Sequence, residues 1–395
     1  MKRVVILCVW LFSVVAGHAQ LSLDECRRLA RENYPEIRQY DLVHQTEQYN
    51  LSNAARAWIP QLAFSAQATW QTDAPNFPKE LTGMLAQQGL EIPGLRKDQY
   101  KVALELNQTI WDGGKSVADK RIARAEAAEQ KTMTDVDLYE LEGRVDDLYF
   151  GILLLDERIA QTNLTLNLLR SNLEKVRALQ RNGVAMQSDA DVLEAELLSV
   201  GQQLIQFESS CDSYRRMLGI FIGQKVGDRK LQHPSAVQPL SGESARPELA
   251  MFAAKIDRLT AQEKMVKSSS MPRLGFFAQG YYGYPGLDYM QSMMNNDWSW
   301  NAMLGVKLSW NFGAYYTQKN NLNKLRTSRQ QVEVQRDVFL FNMNLQAAQE
   351  NGDIARLRKA IADDDRIVAL RRSVREAAES KLRNGIHGLY GSQHA

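Results

Sequence analysis

The 395-residue chain has only three cysteines, Cys8, Cys26 and Cys211, too far apart and too few to form a disulfide framework. Its five histidines, His18, His44, His233, His387 and His394, are scattered, and none stands at a metal-ligand spacing. Charge of one sign is also lacking. Lys and Arg number 48 against 46 Asp and Glu, with no basic block, which excludes a nucleic-acid surface. Beyond the first twenty residues no run approaches eighteen apolar residues, so no segment reads as a membrane-spanning helix. Gly113-Gly114-Lys115-Ser116 imitates the end of a phosphate-binding loop, but the full pattern needs glycine where Thr109 stands. Asp363-Asp364-Asp365 reads as a solvated helix face. With no nucleophile constellation either, no enzyme, no cofactor and no metal site is expected.

Residues 1–19 read as a secretory signal. Lys2-Arg3 precede an apolar run from Val4 to Ala16, and Gly17-His18-Ala19 offers a small-residue cleavage site. The run is too short to span a hydrocarbon core of roughly 30 Å. Cys8 lies inside it without a lipid-attachment context.

The chain is written twice. Tyr34-Pro35-Glu36-Ile37 is followed after 22 residues by Pro60-Gln61-Leu62, and Arg246-Pro247-Glu248-Leu249 after 22 residues by Pro272-Arg273-Leu274. Trp111-Asp112-Gly113 answers Asn311-Phe312-Gly313, and Arg181-Asn182-Gly183 answers Arg383-Asn384-Gly385. Such a unit is too long for a solenoid repeat and reads as a duplicated domain half. The first repeat covers 20–223, a linker 224–246 and the second repeat 247–395.

Each repeat carries one hairpin, at 60–111 and 272–311. Leu62, Phe64, Ala66, Ala68 and Trp70 alternate with polar residues, as do Val102, Leu104 and Leu106. Leu274, Phe276, Ala278 and Tyr282, then Leu304, Val306 and Leu308, repeat the pattern. Leu104, Leu106, Val306 and Leu308 are expected on one face, and Glu105, Asn107, Lys307 and Ser309 on the other. Segments of about ten residues can cross a bilayer as tilted strands. Six of the seven tryptophans lie in or beside them. Trp70, Trp111, Tyr282, Trp300 and Trp310 form a candidate aromatic girdle. Four strands cannot close a barrel, and lipid tolerates no open edge, so copies of the chain must pool their strands.

The rest is helical. No proline falls between Pro93 and Pro234 or after Pro285. Lys115 to Gln180 predicts one helix of about 100 Å, with a seam at Leu138, Leu141, Val145, Leu148, Ile152, Leu155 and Ile159. Ser22-x-x-Glu25 is a capping box, and Ser188-x-x-Asp191 resembles one, with Ser188 as the expected cap. Pro35 and Pro247 suit a first helical turn. The connections at 73–99 and 285–299 read as surface loops.

This layout resembles the TolC-like outer-membrane efflux family. The likeness rests on Leu21-Ser22-Leu23-Asp24-Glu25 with Tyr34-Pro35-Glu36-Ile37, on Ile110-Trp111-Asp112-Gly113-Gly114, and on Gly183-Val184-Ala185-Met186-Gln187-Ser188-Asp189. It implies an α+β membrane protein: an internally duplicated, long α-helical coiled-coil barrel, with four strands per chain in a trimeric transmembrane β-barrel. It implies a homotrimer in outer-membrane lipid with a large periplasmic helical part. Its partners would be a periplasmic adaptor (membrane fusion) protein and an inner-membrane RND or ABC transporter. The function implied is the exit channel of a tripartite efflux or type I secretion system. Gly183, Val184, Ala185, Ser188 and Asp189 become candidate adaptor-docking residues. After Gly385 the pattern departs: Tyr390 and Gly391 stand where Ser188 and Asp189 stand in the first repeat, and the counterpart of the last helix is missing. Ile367, Leu370, Val374 and Leu382 are therefore expected to lack a packing partner, and the chain to assemble poorly; a truncated or frameshifted product and a natural short form both fit this pattern.

A secreted or periplasmic coiled-coil scaffold explains the helices but not the duplicated aromatic-flanked hairpins. Carbonate washing of membranes separates the two readings. The chain is expected to stay in the pellet, whereas a scaffold is released.

Overall fold

The computed structural model describes residues 20–234 and 246–383. The leader reading at 1–19, residues 235–245 of the linker and the second Arg-Asn-Gly turn from residue 384 lie outside them. The chain divides into two units after Arg326.

In the first unit, α1 (Leu23–Asn33) begins where the Ser22 hydroxyl accepts the Glu25 N–H at 3.2 Å. A 3-10 turn with Pro35 at its first position leads into α2 (Gln39–Arg56). Then follow β1 (Gln61–Trp70), α3 (Lys79–Gln87), β2 (Asp98–Trp111), α4 (Lys115–Arg181) and α5 (Gln187–Ile222). The second repeat supplies α6 (Pro247–Ser268), β3 (Arg273–Tyr284), α7 (Tyr289–Asn295), β4 (Ser299–Ser309) and the start of α8 (Gly313–Arg383). The short helices α3 and α7 occupy connections whose sequence reads as plain loops. Asp288 starts α7 by accepting the Gln291 N–H at 3.0 Å.

α4 runs unbroken for 67 residues, about 100 Å at 1.5 Å per residue. Leu138, Leu141, Val145, Leu148 and Ile152 are buried along one stripe, as their spacing predicts. They meet Cys26 and Ala30 of α1 and Cys211, Leu218 and Ile222 of α5 in one apolar core. Val226 and Leu231, from the start of the linker, are buried in the same cluster. Leu21 pairs with Leu231 in a parallel β-bridge. The buried Tyr149 hydroxyl lies 2.7 Å from the Leu21 carbonyl and 2.6 Å from that of Gln232, clasping both chain segments to α4. α2 and α6 also lie along α4, tied by Lys131–Glu47 at 3.4 Å and by an Arg258–Glu129 ion pair.

The four strands form one antiparallel sheet in the order β1-β2-β3-β4. Its register sets Leu62, Leu106, Ala278 and Leu304 in one row, and Phe64, Leu104, Gly280 and Ala302 in the next. Val306 and Leu308 share that face. The opposite face carries Ala63, Glu105, Gln279 and Met303 in one row, and Gln61, Asn107, Phe277 and Gly305 in another. Lys307 and Ser309 lie there too. The two faces expected from alternation are therefore those of the sheet. One irregularity, between Thr109 and Trp111, shifts the β2–β3 register by a residue.

In the second unit, α8 continues to Arg383. Val334, Val338, Phe341 and Leu345 recur at helical spacing and are exposed. Ile367, Leu370 and Val374 are exposed as well, while the Leu382 side chain lies outside the described residues.

Both described cysteines are free thiols. Burial, with Glu25 adding repulsion, pushes Cys26 up to about 12, and burial raises Cys211 as well. A maleimide at mildly alkaline pH is expected to leave both unmodified in the folded protein and to label both in guanidinium. Rapid labelling of the native chain would refute this packing.

Candidate functional site

Three features stand out from the residues upward: the two-faced sheet, the turn that joins it to α4, and the turn between α4 and α5.

On the apolar face no charged residue interrupts the rows from Leu62–Leu304 to Ala66–Trp300. Aromatic side chains gather at both ends of that face. Trp70, Tyr282 and Trp300 lie at the loop end, with Tyr282 and Trp300 ring centroids 5.0 Å apart. Tyr100 and Trp298 stack beside them at 5.6 Å. Tyr100 escaped the sequence reading, although it shares the parity of Val102. Trp111 and Trp310 lie at the helical end, where the Trp310 indole donates to the Ser270 carbonyl at 3.0 Å. All five candidate girdle residues are exposed.

The polar face bounds an open recess of about 570 Å³, lined among others by Gln61, Glu105, Asn107, Arg273, Lys307 and Ser309. Lys101 donates to the Gln279 side-chain oxygen at 3.1 Å, and the Gln279 amide donates to Glu105. Among the described residues, no group of His, Cys, Asp and Glu could hold a metal ion. No helix among them is long and apolar enough to cross a membrane.

The turn into α4 is built on Asp112. One carboxylate oxygen accepts the Gly114 N–H at 2.9 Å, and the other accepts the Ser116 N–H at 2.7 Å and the Ser116 hydroxyl. Burial alone pushes this carboxyl up. The bonds from Ser116 and Gly114 outweigh it and leave the pKa below the ordinary 3.8. The cap therefore contributes fully above that value, and its contribution is lost as pH falls through the lowered folded-state value. Gly113 has φ 70°, and a Cβ there would come within 2.6 Å of the Met271 Cβ, so glycine lets the two repeats touch. In the second repeat Asn311 accepts the Gly313 N–H at 3.0 Å. The equivalent of Trp111-Asp112 is thus Trp310-Asn311, one residue earlier than the sequence repeat suggests.

The turn between α4 and α5 ends α4 with a Schellman motif. Gly183 has φ 75°, its N–H bonds the Gln180 carbonyl at 2.9 Å, and the Val184 N–H bonds the Leu179 carbonyl at 3.0 Å. The expected cap on α5 is corrected. Ser188 lies inside the first turn, and Asp189 reaches back to accept the Met186 N–H at 2.9 Å. The rule of a hydroxyl before a helix misled here because the helix begins at Gln187, ahead of the serine. Gly183, Val184, Ser188 and Asp189 are exposed and Ala185 half-buried; Val184 and Met186 each remain 74% exposed, an apolar pair at the turn's outer surface. Asp189→Ala is expected to speed amide exchange in the first turn of α5, by about 1 kcal/mol of lost capping, while Ser188→Ala leaves it unchanged.

Residues 27–223 match the family model described as outer membrane efflux protein. No curated protein matches the chain. Among solved structures it is similar to the outer-membrane channel OprN, at 13% identity and TM-score 0.66 over 93% of this chain and 81% of that one. It is also similar to the outer membrane protein VceC of Vibrio cholerae, at 15% identity and TM-score 0.62 over 93% and 87% of the two chains. The Campylobacter jejuni CmeC outer membrane channel matches at 15% identity and TM-score 0.61 over 93% and 78%. At these identities the likeness is one of fold: long helices carrying one small sheet.

Proposed function

We propose that this chain, which belongs to the outer membrane efflux protein family through residues 27–223, is the exit channel of an export pump and does no chemistry of its own. Three copies pool their strands into one outer-membrane barrel, and the long helices continue the conduit through the periplasm. The observation that carries this reading is the sheet with one face free of charge from the Leu62–Leu304 row to the Ala66–Trp300 row, one polar face and two edges, β1 and β4, left to pair with other chains. Trp300 in β4 and Trp310, the residue that follows β4, stand ten residues apart. That separation is about 33 Å along a strand. Tilted by about 35–45°, it spans an apolar band about 25 Å tall. Open edges and unpaired backbone groups have no partners in lipid, so closure must come from other copies. The exposed seam Val334, Val338, Phe341 and Leu345 suits helices of neighbouring copies.

The α4–α5 turn, with Gly183, Val184, Ala185, Ser188 and Asp189, is the proposed seat of a periplasmic adaptor protein. That adaptor joins the channel to an inner-membrane transporter of the RND or ABC type, which supplies the energy. The exposed Val184 and Met186 offer the apolar contact. Capping and docking are compatible, because the cap uses Asp189 and the backbone while the apolar side chains stay outside.

Two measurements test the reading. Light scattering on detergent-solubilised protein is expected to give a trimer; a monomer that keeps its strand signal by circular dichroism would overturn it. Cysteines placed at Asn107 and Ser309 should react with a water-soluble maleimide in membranes, and those at Leu104 and Val306 should resist. Equal labelling of both sets rules out the assignment of faces.

A further inference from the structure

We propose that the polar wall of the sheet favours anionic solutes over cations, through an excess of positive charge centred on Arg273 and Lys307. The inference rests on the channel reading and deepens it by naming a solute class. The register decides which charges share the polar face. β1 offers Gln61, Ala63, Ser65, Gln67 and Thr69, none of them charged. β2 contributes Lys101 and Glu105, β3 contributes Arg273, and β4 contributes Lys307. Three cations thus face the recess side against one carboxylate.

That carboxylate is already engaged. Glu105 accepts from the Gln279 amide, whose oxygen accepts from Lys101 at 3.1 Å, so one acid and one cation are joined through a single side chain. Nearer the helices, Lys115 and Asp119 pair at 2.7 Å. Asp112 is buried against the first N–H groups of α4, whose dipole compensates it. Arg273 and Lys307 are left over. Arg273 sits opposite Ser309 and Lys307 opposite Gly275, which makes the two cations diagonal neighbours on adjacent strands. Both are exposed and both line the recess. Neither forms an ion pair among the described residues.

Two like charges on one wall repel each other, and an anion passing between them relieves that repulsion. Low-dielectric barrel walls focus such a field into the lumen, and pooling three copies repeats the pair around the pore at one level. The field is screened over about 10 Å at 0.1 M salt, so the preference should sharpen on dilution.

The test is the reversal potential of the purified full-length protein in planar bilayers under a potassium chloride gradient. A chloride-to-potassium permeability ratio above one is expected, rising as both solutions are diluted. The double variant Arg273→Glu with Lys307→Glu should bring the ratio below one. The pair Arg273→Gln with Lys307→Gln removes charge without adding any and should bring it close to one, which keeps the test open if the glutamates prevent assembly. A wild-type ratio of one or less, or a ratio that neither double variant moves, overturns the inference and leaves a conducting channel intact. A purified trimer that conducts nothing overturns the channel reading and this inference together.

Discussion

β2 and β3 exchange their backbone hydrogen bonds from Tyr100–Tyr284 down to Trp111–Leu274, and along this ladder two repeats become one sheet. Side chains alternate with period two, so a slip of one residue here would move Lys101 and Glu105 in among the apolar rows. Each charge placed on a lipid-facing surface near mid-bilayer costs about 2–4 kcal/mol, which makes register the quantity on which the apolar band depends. The backbones also approach closely at the seam. A Cβ on Gly283 would lie 2.3 Å from the Tyr100 carbonyl, so glycine is needed for β3 to come that near. At the other end, Gly113 permits the contact with Met271. The repeats are thus joined at both ends of the sheet by places where a side chain has been left out.

Much of this was legible in the residues because each element obeys a local rule. Alternation from Leu62 to Trp70 and from Ala302 to Trp310 gave strands and faces, since a half-exposed strand has no other way to separate its two environments. The long proline-free stretch gave α4 almost to the residue, and the seam from Leu138 to Ile152 gave its buried stripe. What the sequence did not disclose depends on contacts distant along the chain. No periodicity reveals that β2 neighbours β3, or that the linker's first residues, Val226 and Leu231, are core rather than tether. The α5 cap was misassigned because Ser188 and Asp189 are adjacent good cappers and only geometry chooses between them. The shift of Trp111's equivalent from Asn311 to Trp310 was hidden because Gly113-Gly114 and Phe312-Gly313 share only their second glycine. Arg273 and Lys307 looked like ordinary solvated residues until the register set them side by side.

The same few devices recur wherever the chain changes direction. A short polar side chain accepts backbone N–H groups where a helix begins, as Ser22, Asp112 and Asp288 do, Asp189 reaches back from inside α5 to the Met186 N–H, and a left-handed glycine closes a helix, as Gly183 and Gly223 do. Charged side chains are spent on staples between helices, at Lys131–Glu47 and Arg258–Glu129, rather than gathered into a reactive cluster. A wall needs stiffness and two well-separated surfaces, and these residues provide both.

The clasp at Tyr149 bears on the order in which the chain matures. Leu21 and Cys26 emerge early from the ribosome, yet their neighbours Cys211, Leu218 and Leu231 follow roughly two hundred residues later. The first repeat therefore cannot close its core until α5 and the first linker residues exist, a high-contact-order step that leaves apolar stripes waiting in the interim. A nascent polypeptide stalled before Cys211 would carry an α4 stripe covered by Cys26 and Ala30 of α1 on one side and bare where α5 belongs.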